Sequence, residues 1–152
     1  MEYPMIQIKN AVTALLKGID PETDVFYEEI KGTEEIHGLN KPETYYFVDM
    51  IPTGNKTVDK FFTDMGVLID IAYHEQNESN AAYLRKGAEL DVAVRPVFCF
   101  GDRKITIYHA DMKITDHMLH YSFTVNFRHA WEQTNEFELM GGLEVRMKRS
   151  VT

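Results

Sequence analysis

Two long stretches of this chain alternate apolar and polar residues with a period of two, from Phe61 to Tyr73 and from Leu119 to Trp131. Successive side chains of a β-strand point to opposite faces, so each stretch predicts a strand with one buried face. At roughly 3.3 Å per residue each would be about 40 Å long, whereas a usual strand has about 5–6 residues. Strands that extend past their own core favour contact with a neighbouring subunit, and hence assembly rather than catalysis.

The bulk composition predicts one globular domain, residues 1–152, because 44% of the residues are hydrophobic and 26% are charged. The sole cysteine, Cys99, excludes an intramolecular disulfide and favours a reducing compartment. No apolar run approaches the ~18–20 residues of a membrane helix, and the N-terminus does not resemble a secretion signal. The net charge of −8 disfavours general attraction to nucleic acid but suits a surface past which DNA slides.

The first half of the chain predicts a helix followed by three strands. Apolar residues at three- and four-residue steps indicate an amphipathic helix over about residues 4–17. Short strands are expected at Val25–Ile30 and Tyr45–Ile51, with a turn at Pro52–Asn55 before the first long run. Three consecutive strands suggest an antiparallel meander.

The second half predicts another helix and two or three further strands. A helix is expected at about residues 79–95, with its apolar stripe on the sheet, then a strand or pair of short strands at Lys104–Thr115 before the second long run. Glu144–Met147 is a candidate final strand. The fold class is therefore α+β, a mainly antiparallel sheet with two helices packed on one face, in the order α-β-β-β-α-β-β(-β).

Several residues invite a chemical interpretation, and each has a simpler structural one. His117 and His120 would share a face only in a helix, and His109 with Asp111 lacks a third ligand or nucleophile. A two-metal nuclease site could in principle be built from the acidic residues Glu28, Glu29, Asp49, Asp64 and Asp70, but alternating carboxylates are ordinary on a half-exposed sheet. No catalytic, cofactor-binding or metal-binding residue is assigned.

An interface is the better interpretation of the polar faces and ends of the two runs. The residues predicted to contact another subunit or partner are Phe61, Phe62, Asp64, Asp70, His120, Asn126, Arg128 and Trp131. The connection at residues 31–44 is long for a compact domain, and is either a segment that binds or orders on assembly or an excursion with no role.

Several segments in this order resemble the tail terminator family of long-tailed phages, especially the branch from phages and prophages of Gram-positive bacteria. The likeness is carried by Ile8, Val12 and Leu15 of the first helix, by Val25–Glu29, Tyr45–Val48, Asp70–His74 and His117–Arg128, and by the pair Gly141 and Gly142. Each segment alone is common, whereas their order and spacing are more specific. Nearly the whole chain is covered.

The resemblance implies a non-enzymatic virion protein that assembles in the host cytoplasm as a homo-oligomeric ring, usually a hexamer. The ring would sit on the head-proximal end of the tail tube, stop tube polymerisation and present a surface for head joining. The implied partners are the tube protein, a head-completion or connector protein, and DNA that passes through the lumen without specific binding. The alternatives are a connector component itself and a small metal-dependent hydrolase or nuclease.

Overall fold

A computed structural model describes residues 3–27, 44–77 and 79–130. Helix α1 spans Pro4–Ile19 and strand β1 spans Asp24–Phe26, followed by the long strands β2 (Tyr45–Thr57) and β3 (Phe62–His74). Helix α2 spans Asn80–Val94. Four strands complete the described part of the chain, β4 (Val97–Phe100), β5 (Arg103–Thr106), β6 (Ala110–Thr115) and β7 (Met118–Ala130).

The strands form a five-stranded sheet in the order β1-β2-β3-β7-β6 and a separate β4-β5 hairpin. β2, β3 and β7 each have 13 residues and pair antiparallel along nearly their full length. They make a three-stranded ribbon that occupies the centre of the sheet. The prediction of two long one-sided strands is confirmed, since these strands cover the alternating runs almost completely.

One face of the ribbon carries the hydrophobic core. Ile69 of β3 is paired with Met50 of β2 on one side and with Phe123 of β7 on the other. Because side chains alternate along a strand, every second residue from these three points to the same face of the ribbon. Both helices pack on this face. Its buried residues include Ile8, Val12 and Leu16 of α1, Tyr83, Leu90 and Val94 of α2, Val67, Ile69 and Ile71 of β3, and Leu119, Tyr121, Phe123 and Val125 of β7.

The helix boundaries follow local chemistry. Pro4 suits the first turn of α1 because its missing N–H would have no helical partner there, and this helix continues two residues beyond the predicted 4–17. The Ser79 side chain accepts a hydrogen bond from the Ala82 N–H at 3.4 Å and so caps α2. α2 ends before Pro96, close to the predicted 79–95.

Three local expectations were wrong. β1 pairs parallel to β2, so the first three strands are no antiparallel meander. Residues 52–55 continue β2 instead of forming a turn. Proline is tolerated there because the register shifts between Pro52 and Gly54, and because the edge of β2 that faces away from β3 has little pairing in the described residues. Val97–Phe100 forms a strand that was not predicted, since four residues after a proline give too short a pattern.

The α+β class is confirmed, and the described residues contain four strands after α2 where two or three were expected. Lys104–Thr115 does contain a pair of short strands, β5 and β6. Four predicted features lie wholly or partly outside the described residues: the end of the strand Val25–Ile30, nearly all of the connection 31–44, Trp131, and the candidate strand Glu144–Met147.

Candidate functional site

The face of the ribbon opposite the helices is called here the outer face. It collects alternate side chains of β2, β3 and β7, and the register aligns them in rows across the three strands. The rows contain Asp49, Asp70 and Ser122, then Ile51, Leu68 and Thr124, then Gly54, Gly66 and Asn126, and finally Lys56, Asp64 and Arg128. The register thus brings five of the predicted interface residues, Asp64, Asp70, His120, Asn126 and Arg128, to one surface.

One ion pair and one histidine–carboxylate contact join β3 to β7 on this outer face. The Arg128 guanidinium donates two hydrogen bonds to the Asp64 carboxylate, at 2.8 and 3.2 Å. This hydrogen bonding lowers the pKa of Asp64 and raises the pKa of Arg128. His120 Nδ1 lies 3.2 Å from an oxygen of Asp70. Both pairs are at least partly exposed, so they favour the observed register while remaining accessible to a partner.

Between these pairs the outer face has a shallow groove of about 610 Å³ with a glycine floor. A Cβ atom at Gly66 would lie 2.5 Å from both the Asn126 amide oxygen and the Thr53 hydroxyl oxygen. The small residue therefore lets these two polar side chains approach the strand backbone. Lys56, Asp64 and Arg128 line the same groove, so charged side chains of both signs border it.

The hairpin turn between β2 and β3 exposes apolar side chains. Phe61 is 49% exposed and Phe62 is 39% exposed. The Asp59 carboxylate accepts hydrogen bonds from the backbone N–H groups of both residues, at 2.8 and 2.9 Å. A side chain that binds two successive N–H groups fixes the turn, so the two rings stand on an ordered support.

Toward this turn β2 is exposed, whereas β3 and β7 keep buried residues such as Thr63 and Phe127. All residues from Ile51 to Thr57 in β2 are exposed, although each lies in a strand paired to β3. The core at this end is closed by the β4-β5 hairpin, where Phe100 packs against Phe127 with ring centroids 5.3 Å apart. The last predicted interface residue, Trp131, lies outside the described residues.

Arg103 joins the β4-β5 hairpin to the end of β7, a role that the sequence did not reveal. Its guanidinium donates to the Arg128 carbonyl oxygen at 2.6 Å and lies 2.8 Å from His129 Nδ1. It also stacks over the rings of Phe100 and Phe127. An arginine after the turn Gly101–Asp102 carries no sequence signal for such contacts, because they depend on how the hairpin folds back onto β7.

The histidine and carboxylate pairs do not assemble into a reaction centre in the described residues. His109 Nε2 lies 3.0 Å from Asp111 Oδ1, and both side chains are more than two-thirds exposed. His117 lies in the turn before β7 and His120 within that strand, as the sequence predicted. Across residues 3–27, 44–77 and 79–130, no group of three or more His, Cys, Asp or Glu side chains is placed to hold a metal ion. Glu28 and Glu29 lie outside these ranges.

Comparison with known proteins identifies the class of this chain. A family model described as phage tail terminator protein matches residues 7–137, which include α2, every strand described above and all but the first three residues of α1. No curated protein matches the chain. In the described part of the chain, no helix has the length and apolar character needed to cross a membrane. The chain therefore belongs to the phage tail terminator family and is a structural component of a phage tail.

Proposed function

We propose that this protein forms a homo-oligomeric ring, with six copies, on the head-proximal end of the tail tube. The ring ends tube polymerisation and presents the surface that joins the head. Tube protein on one side and a head-completion or connector protein on the other are its partners, and it assembles in the host cytoplasm before becoming part of the virion. Family membership supports the tail role, and the shape and surface of the ribbon support self-association.

The observation that carries the proposal is the exposed second half of β2. All residues from Ile51 to Thr57 are exposed, and six of these seven are paired in register to β3. A monomer has no need of a 13-residue strand whose second half is exposed, and an exposed half-strand held in place by β3 is a stiff surface suited to contact between copies. The outer-face residues and the turn residues Phe61 and Phe62 are the candidate contacts.

One acidic row on the outer face fits passage of DNA without specific binding. Asp49, Asp70 and Asp111 fall in one cross-strand row that also includes Ser122. Carboxylates repel the phosphate backbone, and the net charge of −8 has the same sign. In the proposed ring, this row faces the lumen.

The deciding experiment is a phage in which this gene is removed and then supplied in trans. The proposal predicts tails with abnormally long tubes, or tails that fail to join heads, and recovery of normal particles with the wild-type gene. Tubes of normal length that still join heads would refute it. A pull-down against purified tube and connector proteins separates a terminator, which binds the tube, from a connector component, which binds the portal side alone.

A further inference from the structure

The contact between Arg103 of β5 and His129 of β7 fixes the protonation state of the imidazole. A guanidinium nitrogen lies 2.8 Å from His129 Nδ1, within hydrogen-bond distance. A guanidinium has N–H donors and no acceptor, so Nδ1 must accept this hydrogen bond and cannot carry a proton. The imidazole is therefore neutral, with its proton on Nε2.

The same guanidinium holds the β4-β5 hairpin on the end of β7. It donates to the Arg128 carbonyl oxygen at 2.6 Å and lies over the rings of Phe100 and Phe127, 5.9 and 5.2 Å from their centroids. Phe100 belongs to β4 and Phe127 to β7, so one side chain spans the junction between the hairpin and the main sheet. These contacts share a single orientation of the guanidinium, and loss of one weakens the rest.

Arg103 is the charged group that meets the His129 ring. His129 lies on the core-bearing face of β7 and is paired with the uncharged Thr63 of β3. Among the described residues, the other charged side chains of the surrounding elements are Asp59 and Lys60 of the β2-β3 turn, Asp64 of β3, Arg128 of β7, and Asp102 and Lys104 of the hairpin. Asp64 and Arg128 pair with each other on the outer face, and Lys60 lies over a phenylalanine ring in its own turn. Asp102 and Lys104 are exposed.

Protonation of His129 breaks this contact. A proton taken up at Nδ1 removes the acceptor and leaves an imidazolium beside a guanidinium, which repel each other. Imidazole is the side chain that changes charge between about pH 5 and about pH 8, whereas a guanidinium stays charged throughout. The contacts of His120 with Asp70 and of His109 with Asp111 respond in the opposite sense, since a protonated ring is attracted to a carboxylate. Acid therefore weakens the hairpin junction while it strengthens those two contacts.

We propose that Arg103 and His129 form an acid-sensitive latch, which holds the β4-β5 hairpin on β7 at neutral pH and releases it as the pH falls toward about 5. Release uncovers the end of the core that Phe100 and Phe127 close. The latch adjoins the β2-β3 turn, because Ala130, the residue after His129, is paired with Phe62. The latch is a property of the single chain and does not depend on the proposed ring.

Hydrogen exchange of the hairpin amides tests the latch. Exchange in β4 and β5 is followed by mass spectrometry at about pH 8 and about pH 5, the limits of imidazole titration, and is corrected for the intrinsic pH dependence of amide exchange. The protection of the hairpin amides should fall by about tenfold or more in acid, the effect of losing one hydrogen bond to a charged group. The amides of α2 should keep their protection over the same range.

Two substitutions at His129 separate its titration from other effects of acid. His129→Asn retains an acceptor and takes up no proton in this range, so its hairpin should stay protected at both pH values. His129→Lys carries a charge at both pH values and should show the acid behaviour already at about pH 8. His109→Asn is the matched control, because His109 lies beside a carboxylate, and this variant should respond to acid as the wild type does.

Equal protection of the wild-type hairpin at both pH values would overturn the inference. A loss of protection in acid that persists in His129→Asn would also overturn it, since another group would then be responsible. This second comparison decides the matter even where His129→Lys does not fold. Tube length in the phage that lacks the gene is a separate measurement, so the latch and the proposed function can fail independently.

Discussion

The ammonium group of Lys86 lies 2.5 Å from the Asp20 carboxylate and links the middle of α2 to the end of α1. The lysine side chain is only 10% exposed, contacts Glu89 at 3.0 Å, and lies over the ring of Tyr73. The Tyr46 hydroxyl donates a hydrogen bond to the same Asp20 carboxylate. One carboxylate thus joins both helices to the sheet.

Replacement of Lys86 by Met should destabilise the protein by about 2 kcal/mol, because the partly buried Asp20 loses its cation while the methylene volume is kept. Denaturant unfolding measures the change. Lys104→Met, at an exposed strand position, is the control and should be near neutral. Equal effects of the two substitutions would contradict the structural role of the bridge.

This cluster and the separate contact between Tyr121 and Asp91 predict a loss of stability at alkaline pH. Burial, with the hydrogen bond to Asp20, raises the pKa of Tyr46, and burial with the hydrogen bond to Asp91 raises that of Tyr121. Burial alone would lower the pKa of Lys86, but its hydrogen bonds to Asp20 and Glu89 raise it overall. A group whose pKa is higher in the folded than in the unfolded protein stabilises the fold fully at pH values below its unfolded pKa, about 10 for these groups. This stabilisation decreases as the pH rises above that value.

The free energy of unfolding should therefore fall between pH 9 and pH 11 (about the range in which free tyrosine and lysine titrate). Tyr46→Phe should make this fall shallower, since it removes one contributing group. Denaturant curves at several pH values measure both slopes. Identical slopes for the wild type and the variant would show that Tyr46 ionisation does not affect stability.

At acid pH the contact between Asp91 and Tyr121 should weaken. Hydrogen bonds from Arg95 and then from the Tyr121 hydroxyl lower the pKa of Asp91 to about 2. A carboxylate whose pKa is lower in the folded protein stabilises the fold at pH values above its unfolded pKa, near 3.8 for Asp91. This contribution is lost as the pH falls toward 2. Asp91→Asn should reduce stability at pH 7 and flatten the acid limb of the profile. An unchanged acid limb would count against the contact.

Two helical glycines should respond oppositely to alanine. Gly18 in α1 has open space around its missing Cβ, so Gly18→Ala should stabilise by about 0.5–1 kcal/mol. Gly87→Ala would collide with the sulfur of Met112 and should destabilise by about 1–3 kcal/mol. Thermal unfolding checks the signs. The double variant Gly87→Ala with Met112→Ala should recover part of the loss, and no recovery would show that the clash lies elsewhere.

The sequence predicted those features that a single strand or helix imposes on itself. A strand against a core must alternate, so Phe61–Tyr73 and Leu119–Trp131 were recognisable. Pairing direction was not, because the parallel alignment of β1 with β2 depends on the path of the chain between them. The turn residues at Pro52–Asn55 were misread since pairing with β3 outweighed their local preference.

The candidate site was predictable to a similar extent. Asp64, Asp70, His120 and Arg128 were singled out by their alternation, but which carboxylate meets Arg128 and which meets His120 follows from the β3-β7 register. That register depends on contacts between distant residues.

Electron cryomicroscopy of the head-proximal tail end tests the account most directly. We expect one closed ring of this protein per tail, six-fold symmetric, seated on the last layer of tube subunits, with the β2-β3 turn at the contact between neighbouring copies. Absence of the protein from that end, or its distribution along the tube as separate copies, would contradict the account.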